Sequence, residues 1–181
     1  MKISVFTPTH NLKNIDRPLE SLANQSFKDF EWVLLLNGEA EKEKDSLKEK
    51  IESKKINYTI VDFYQKDNKN IGYLKNECCK NASGEILVEL DHDDALEPNC
   101  LEEINKRFES TDADFVYSSD YSVRLDENGQ ELFTTPFHQN YGWKTANKDG
   151  KEYHPAFPPS ALAFSYIYYA PDHVRSWKSS F

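Results

Sequence analysis

The sequence has few cysteines and fewer basic than acidic residues. Its three cysteines, two of them adjacent at Cys78 and Cys79, form neither a disulfide framework nor the spacing of a zinc site, which favours the reducing cytoplasm. The 22 basic and 31 acidic residues give a net charge of −9. This balance argues against a nucleic-acid-binding surface, because phosphate contacts need clustered Lys and Arg.

The sequence also lacks an apolar run long enough to cross a bilayer. The segment from Ala161 to Ala170 is too short and is interrupted by Ser165. The apolar residues that follow Met1-Lys2 reach a Thr-Pro break too early for a signal peptide. We expect no transmembrane segment and a cytoplasmic location, with peripheral contact at the cytoplasmic face of a membrane left open.

What the chain does have is an alternation of apolar strands and helical patterns. Strands are predicted over residues 2–6, 30–36, 56–64 and 84–90, and helical patterns begin near Asp16, Glu39, Gly72 and Pro98. The alternation predicts an α/β fold with a mostly parallel, Rossmann-like sheet flanked by helices. The length suits a single domain spanning residues 1–181.

The pattern changes after residue 112, where we expect a small antiparallel part. An Asn128-Gly129 pair between two strand-like segments indicates a hairpin. Residues 136–160 have no clear periodicity and are interpreted as a loop that covers a site. A strand is predicted over residues 161–169, and Pro171 is predicted to open a last helix through Trp177.

The segment Gly84 to Asp94 is the first candidate site. Its apolar strand stops at Asp91, Asp93 and Asp94, where a ligand of a parallel sheet is expected. On an extended chain Asp91 and Asp93 would point the same way and share a hard divalent cation. The alternative is an acidic loop that caps the next helix.

Several ordered motifs carry a resemblance to a known family. They are Val5-Phe6-Thr7-Pro8-Thr9-His10-Asn11, Leu19-Glu20-Ser21-Leu22 with Gln25-Ser26-Phe27, Phe30-Glu31-Trp32-Val33-Leu34-Leu35-Leu36-Asn37-Gly38, Asn70-Ile71-Gly72 with Lys75-Asn76, and Gly84-Glu85 with Asp91-His92-Asp93-Asp94. Their order and spacing over about the first 125 residues resemble the family 2 glycosyltransferases of the GT-A fold.

The resemblance implies transfer of a sugar, with inversion, from a nucleoside diphosphate sugar to an acceptor hydroxyl. It implies a divalent cation, Mn²⁺ or Mg²⁺, a UDP-sugar as donor, and a saccharide or lipid-linked acceptor in the synthesis of a surface polysaccharide or glycoconjugate. Residues 1–112 would form the nucleotide-sugar-binding half of the domain. Residues 113–181 would form an incomplete acceptor-side half.

The resemblance also assigns roles to individual residues. Thr7, Pro8, Thr9 and Asn11 match the loop along the nucleotide. Asn37 stands where the family commonly has an aspartate that reads the base. Lys75 takes the place of a basic residue near the nucleotide, or is a solvated helix lysine.

The same resemblance extends to the acidic motif. It implies that Asp91 lies near the ribose and the metal, and that Asp93 is the metal ligand proper. His92 joins the donor-binding residues, with its side chain expected to face away from the metal because alternate residues of a strand point to opposite faces. Asp94 is expected to support the site or cap a helix.

The general base is the gap in this assignment. An inverting transfer needs one group to take the proton of the attacking hydroxyl, and in the family it lies in a motif beyond a segment like Tyr169-Ala170-Pro171. The chain stops at Phe181, so we expect it to be truncated before that motif. Among its own residues Asp120 is the candidate, and the other acids considered are Asp126, Asp149, Glu152 and Asp172.

Two other functions remain open at this point. One is a sugar nucleotidyltransferase, which would carry a glycine-rich basic loop after the first strand. The other is a non-catalytic nucleotide-sugar-binding module. His154 and His173 are possible further metal ligands or ordinary polar residues, and Trp143, Tyr153 and Phe157 are possible sugar-stacking rings or packing residues of a loop.

Overall fold

The computed structural model describes residues 1–63, 70–118 and 174–180, and the backbone of four short strands at 123–125, 131–133, 146–148 and 151–153. The strands are β1 (Ile3–Thr9), β2 (Phe30–Leu36), β3 (Tyr58–Val61), β4 (Ile86–Glu89), β5 (Phe115–Tyr117), β6 (Val123–Leu125), β7 (Glu131–Phe133), β8 (Ala146–Lys148), β9 (Lys151–Tyr153) and β10 (Arg175–Lys178). The helices are α1 (Asp16–Ala23), α2 (Lys44–Ser53), α3 (Ile71–Lys80) and α4 (Cys100–Ser110), with a 3₁₀ helix at Gly38–Glu43.

Six of the strands form one mixed sheet in the order β3-β2-β1-β4-β10-β5. The neighbours β3, β2, β1 and β4 run parallel, and Val5 of β1 lies between Trp32 of β2 and Val88 of β4. β10 pairs with β4 in the antiparallel direction. The mostly parallel α/β sheet predicted from the sequence is confirmed, and its central strand is β1.

Both faces of the neighbouring strands β1 and β2 are covered, since every residue of these two strands is buried. On one face α3 packs Leu74 and Cys78, four residues apart, against a cluster that includes Phe6, Val33 and Leu87. The helix begins where the Asn70 side chain accepts a hydrogen bond from the Tyr73 N–H. Burying each large side chain of such a cluster contributes roughly 1.5–3 kcal/mol.

Gln25 ties the end of α1 to the start of α4. Its side-chain amide donates to the Glu97 carbonyl at 2.8 Å and its amide oxygen accepts from the Leu101 N–H at 3.0 Å. The Gln25 side chain is almost wholly buried. The first turn of α4 therefore has a hydrogen-bond partner from the segment just after α1, and the helix begins at Cys100, two residues later than the predicted Pro98.

A polar cluster closes the amino-terminal edge of the parallel strands. Glu31 accepts hydrogen bonds from the Ser4 hydroxyl at 2.6 Å and from the Ser83 N–H and hydroxyl at 2.7 and 2.8 Å. The Gly84 N–H donates to the Ser4 hydroxyl oxygen. These bonds lower the pKa of Glu31 although its burial acts to raise it.

After residue 112 the structure differs from two predictions, the last helix and the irregular stretch 136–160. The predicted helix from Pro171 through Trp177 is wrong over its described part, since Arg175–Lys178 is the strand β10. The Ser176 hydroxyl donates to the Val116 carbonyl at 2.8 Å, and the Trp177 ring meets Phe6 edge-on at 5.5 Å. These long-range contacts favour a strand over the helix that Pro171 indicated.

The predicted hairpin is confirmed, since β6 and β7 pair antiparallel. A second hairpin, β8–β9, lies inside the stretch 136–160 that was interpreted as irregular. The strand predicted over 161–169 falls outside the described residues. By compactness the chain divides into Met1–Val116 with Ser176–Phe181, which holds the helices, and Tyr117–Arg175, which holds the two hairpins. The functional division at residue 112 stays a prediction.

Candidate functional site

The carboxyl ends of β1, β2 and β4 meet at one edge of the sheet because these neighbouring strands are parallel. His10 and Asn11 follow β1, Asn37 follows β2, and the acidic residues from Asp91 follow β4. Open α/β sheets bind ligands at this edge. The sheet thus brings together three of the segments in which the sequence predicted site residues.

The acidic segment is a turn. β4 ends at Glu89, the Leu90 N–H still donates to the Phe6 carbonyl at 3.2 Å, and the Asp94 N–H then donates back to the Asp91 carbonyl at 3.2 Å. The extended chain predicted through Asp91 and Asp93 is therefore wrong, and so is the strand alternation used to orient His92. The turn exposes the Asp91 and Asp93 carboxylates, whose side chains are 46% and 53% exposed.

Residues from β1 and α1 support this turn. Arg17 of α1 donates from Nη1 to the Asp93 carbonyl at 3.2 Å. The rings of His10 and His92 meet edge-on with their centres 5.4 Å apart, and His92 Nδ1 lies 3.8 Å from Asp93 Oδ1. The Asn11 amide is 2.8 Å from His10 Nε2. The loop after β1 and the acidic turn are thus in contact through the two histidines.

The two threonines of the predicted donor loop are buried. Thr7 is fully buried, and its hydroxyl donates to the Leu90 carbonyl at 2.7 Å and accepts from the Trp32 indole N–H at 2.9 Å. The Thr9 hydroxyl donates to the Asn11 carbonyl, and Pro8 between them is buried as well. Both hydroxyls form hydrogen bonds with other groups of the protein, so the two threonines stabilise the conformation of the loop.

Asn37 lies at the same edge and is buried. Its N–H donates to the Thr9 carbonyl at 3.0 Å, and the residue is 6% exposed. Gly38 follows with a positive φ of 59°, and a Cβ there would lie 3.3 Å from the His10 carbonyl oxygen. A glycine therefore allows β2 to turn beside the β1 loop, which places Asn37 next to it.

Lys75 of α3 reaches the end of β4. Its Nζ makes a close ion pair with the Glu89 carboxylate and lies 3.3 Å from Asp91 Oδ1. The side chains of Lys75 and Glu89 are only 22% and 10% exposed. Of the two interpretations left open by the sequence, the solvated helix lysine does not fit this environment.

Glu89 and Arg17 are the site-forming residues that sequence reasoning missed. A signal existed for Glu89, since it is the one acid within the apolar strand β4 and stands two residues before Asp91. Burial raises the pKa of the neighbouring Cys79 thiol to about 11, and the negative charge of Glu89 adds to the rise. Arg17 had no such signal, because an arginine in the first turn of a surface helix is ordinary.

The donor set at the turn suits a hard cation. Carboxylate oxygens are the ligands that Mg²⁺ and Mn²⁺ accept, and Asp91 and Asp93 present two of them to solvent. Within the described residues, no three His, Cys, Asp or Glu side chains are grouped as a metal site. A cation here would complete its coordination with ligand oxygens and water.

The remaining candidates lie outside the described residues or have only their backbone described. No position is assigned to the candidate base Asp120, to the other acids considered, or to the later histidines and aromatic side chains; these are Asp126, Asp149, Glu152, Asp172, His154, His173, Trp143, Tyr153 and Phe157. Their roles stay predictions. No helix in the described ranges has both the length and the apolar character needed to span a membrane.

Comparison with known proteins places these features in context. The family described as "Glycosyl transferase family 2" matches residues 4–166 of the chain. An uncharacterized glycosyltransferase of Rickettsia bellii is 30% identical over 132 residues, which cover 72% of this chain and 18% of that protein. Chondroitin synthase of Escherichia coli is 32% identical over 109 residues, 58% of this chain and 15% of the synthase.

Solved structures show the same fold. The S. aureus TarS fragment 1–349 in complex with UDP superposes with a TM-score of 0.66 at 24% identity, covering 99% of this chain and 47% of that one. A mannosyltransferase from Pyrobaculum calidifontis gives a TM-score of 0.51 at 21% identity, over 68% of this chain and 36% of the other. The chain thus spans less than half the length of each of these proteins.

Proposed function

The chain belongs to glycosyl transferase family 2, and from this membership we propose that it transfers a sugar from a nucleoside diphosphate sugar to an acceptor hydroxyl. The observation that carries the proposal is the exposed acidic turn Asp91–Asp94 at the carboxyl end of β4, beside the loop after β1. A diphosphate bound there would lie at the ligand-binding edge of a parallel sheet.

The acidic turn supports a metal-dependent reaction. Asp93, with Asp91, would hold a Mn²⁺ or Mg²⁺ ion, and the chemistry such an ion supplies is neutralisation of the charge on the departing diphosphate. Arg17 would keep the turn in place through the Asp93 carbonyl. Lys75, held next to Asp91, would add a positive charge near the nucleotide.

The nucleotide would lie along the carboxyl ends of β1 and β2. The largely buried Asn37 offers an amide, a donor and an acceptor, for the base, and Asn11 and His92 border the same edge. TarS has been crystallised with UDP and with UDP-GlcNAc, and the Pyrobaculum enzyme with GDP-Man and Mn²⁺. These complexes favour a nucleoside diphosphate sugar as donor, and we propose UDP as its nucleotide.

The proposed reaction proceeds with inversion, which requires one general base and no covalent intermediate. Asp120 remains the proposed base within this chain. We propose a saccharide or lipid-linked acceptor, used in the synthesis of a surface polysaccharide or glycoconjugate. A lipid-linked acceptor would bring the protein to the cytoplasmic face of a membrane.

The test is calorimetric titration of the chain with UDP and with GDP, each with and without Mn²⁺. We expect UDP to bind only with the metal, and Asp93→Asn to weaken that binding at least tenfold, since one ligand oxygen loses its charge (~1.4 kcal/mol per factor of ten). Asp45→Asn is the matched control, because Asp45 is exposed on α2 and pairs only loosely with Lys48 at 3.7 Å.

Two results would contradict the proposal. One is metal-independent or absent binding of both nucleotides by the wild-type chain. The other is unchanged UDP affinity in Asp93→Asn. Metal-dependent binding with neither hydrolysis nor transfer of a UDP-sugar would instead favour a nucleotide-sugar-binding module.

A further inference from the structure

Lys75 lies between two carboxylates of the same strand segment. Its ammonium group contacts Glu89, and Asp91 Oδ1 is 3.3 Å away. Leu87 belongs to the cluster packed by α3, and Glu89 stands two residues further on the same strand face. The backbone of β4 therefore directs Glu89 towards α3, where Lys75 meets it.

The burial of the three side chains differs in a graded way. Glu89 is 10% exposed, Lys75 22% and Asp91 46%. Glu89 is thus on the protein side of the ammonium group and Asp91 on the solvent side. An ion pair shielded from water is stronger than one in solvent, so the Lys75 ammonium is held from the inside by Glu89.

The charges of this group determine how the turn would receive a cation. Lys75 contributes one positive charge beside the carboxylates of Glu89 and Asp91, and the Arg17 guanidinium contributes a second at the Asp93 carbonyl. Glu89, Asp91, Asp93 and Asp94 contribute four negative charges. Without Glu89, the ammonium beside Asp91 would cancel half of the charge of the two exposed carboxylates. An uncompensated ammonium next to a ligand oxygen repels a divalent cation and competes for that oxygen.

We propose that Glu89 is a positioning residue of the donor site, which holds Lys75 and compensates its charge so that Asp91 remains available to a divalent cation. The inference rests on the proposed function, since it concerns the same acidic turn. Glu89, a largely buried residue of β4, would thus affect the binding of a cation without being one of its ligands. Groups behind metal ligands commonly change metal affinity about 10–100-fold.

A purely structural ion pair would behave differently. If Glu89 and Lys75 only joined α3 to β4, breaking the pair from either side would lower stability, and the second substitution would not restore anything at the turn. The proposal instead requires that the effect of Glu89→Gln on cation affinity be present with Lys75 and absent without it. Removing Lys75 together with the charge of Glu89 takes away the ammonium that competes for Asp91.

The experiment measures the Mn²⁺ concentration that gives half-maximal UDP binding, with UDP in excess, by calorimetry. The proteins are the wild-type chain, Glu89→Gln, Lys75→Gln and the double variant. We expect Glu89→Gln to raise the Mn²⁺ midpoint about tenfold in the wild-type background, and to change it by less than about threefold in the Lys75→Gln background, where the competing ammonium is absent. Thermal unfolding of each variant reports any change in stability separately.

Glu77→Gln is the matched control. Glu77 lies on α3, and its carboxylate is 2.7 Å from the Nζ of Lys80, whose side chain is 59% exposed. The substitution removes one charge of the same kind from the same region without touching Asp91, and its Mn²⁺ midpoint is expected to match the wild type within twofold.

The possible outcomes separate this inference from the proposed function. A wild-type chain without metal-dependent UDP binding would remove the proposed function and this inference with it. Metal-dependent wild-type binding with an unchanged midpoint in Glu89→Gln would overturn the inference alone. A rise of about tenfold in the midpoint when Glu89→Gln is added to Lys75→Gln would also overturn it, because Glu89 would then act without Lys75.

Discussion

Thr7 offers a direct test of how the site is built. The family resemblance implied a position along the nucleotide, but the buried hydroxyl of Thr7 joins three segments, with Trp32 of β2 on one side and Leu90, just after β4, on the other. Leu90 immediately precedes Asp91, so this hydroxyl anchors the start of the acidic turn. Thr7→Val keeps the volume of the side chain and removes only the hydroxyl.

The size of the effect follows from the two bonds. Thr7→Val leaves the Trp32 indole N–H and the Leu90 carbonyl without their partner, and both bonds are buried. A buried polar group without a partner costs about 1–3 kcal/mol, so we expect a loss of about 3 kcal/mol in the free energy of unfolding. For a chain of this length that corresponds to roughly 6–12 °C in Tm.

Urea unfolding followed by tryptophan fluorescence measures this loss, and UDP titration with Mn²⁺ measures the site. Thr7→Ser is the control, because it keeps the hydroxyl and loses only a methyl group, about 1 kcal/mol. The stability order expected is wild type, Thr7→Ser, Thr7→Val. If Thr7→Val lost UDP affinity while keeping its free energy of unfolding, the hydroxyl would be a nucleotide contact and this structural reasoning would be refuted.

Three further predictions concern the core. Gly84→Ala should destabilise the chain by about 1–3 kcal/mol in urea unfolding, because its Cβ would lie 2.6 Å from the Ser4 backbone nitrogen; wild-type stability would contradict that packing. Glu31→Gln should lower stability by about 2 kcal/mol at pH 7. Since the pKa of Glu31 is lowered on folding, its stabilisation is present above pH 4.5 and disappears as the pH falls below that value; a pH-independent difference between Glu31→Gln and wild type would refute it. Cys78 is fully buried and its burial raises the pKa of the thiol, so a thiol reagent at pH 8 should label it far more slowly in the folded chain than in urea; equal rates would contradict its burial.

Most of the fold could be predicted where local pattern and tertiary packing agree. The apolar runs of β1, β2 and β4 are buried on both sides, as a central parallel strand requires. Leu47 and Ile51, four residues apart in a charged segment, are the buried residues of α2, as the helical pattern predicted near Glu39 requires. The pattern could not show that this segment begins as a 3₁₀ helix at Gly38.

Prediction failed where partners distant in sequence decide the structure. The local pattern at Pro171 predicts a helix start, but Ser176 pairs with Val88 of β4 and the Trp177 ring contacts Phe6. The β8–β9 hairpin was missed for another reason. Asp149-Gly150 between its strands is a hairpin signal of the same kind as Asn128-Gly129, and the surrounding aromatic residues obscured it.

The acidic turn shows why the position of a site is easier to predict than its geometry. The order of the strands places Asp91 at the ligand-binding edge, whichever conformation the residues after β4 adopt. Its surroundings depend on side chains from other elements, since Arg17 comes from α1, Lys75 from α3 and His10 from the loop after β1. None of these contacts can be predicted from a periodic sequence pattern, and each forms only when the sheet and its helices are packed together. Only Glu89 follows from strand alternation, because it shares the face of Leu87. The balance of charge at the turn, and with it the affinity for a cation, is therefore a property of the tertiary structure that the Asp-His-Asp motif alone does not determine.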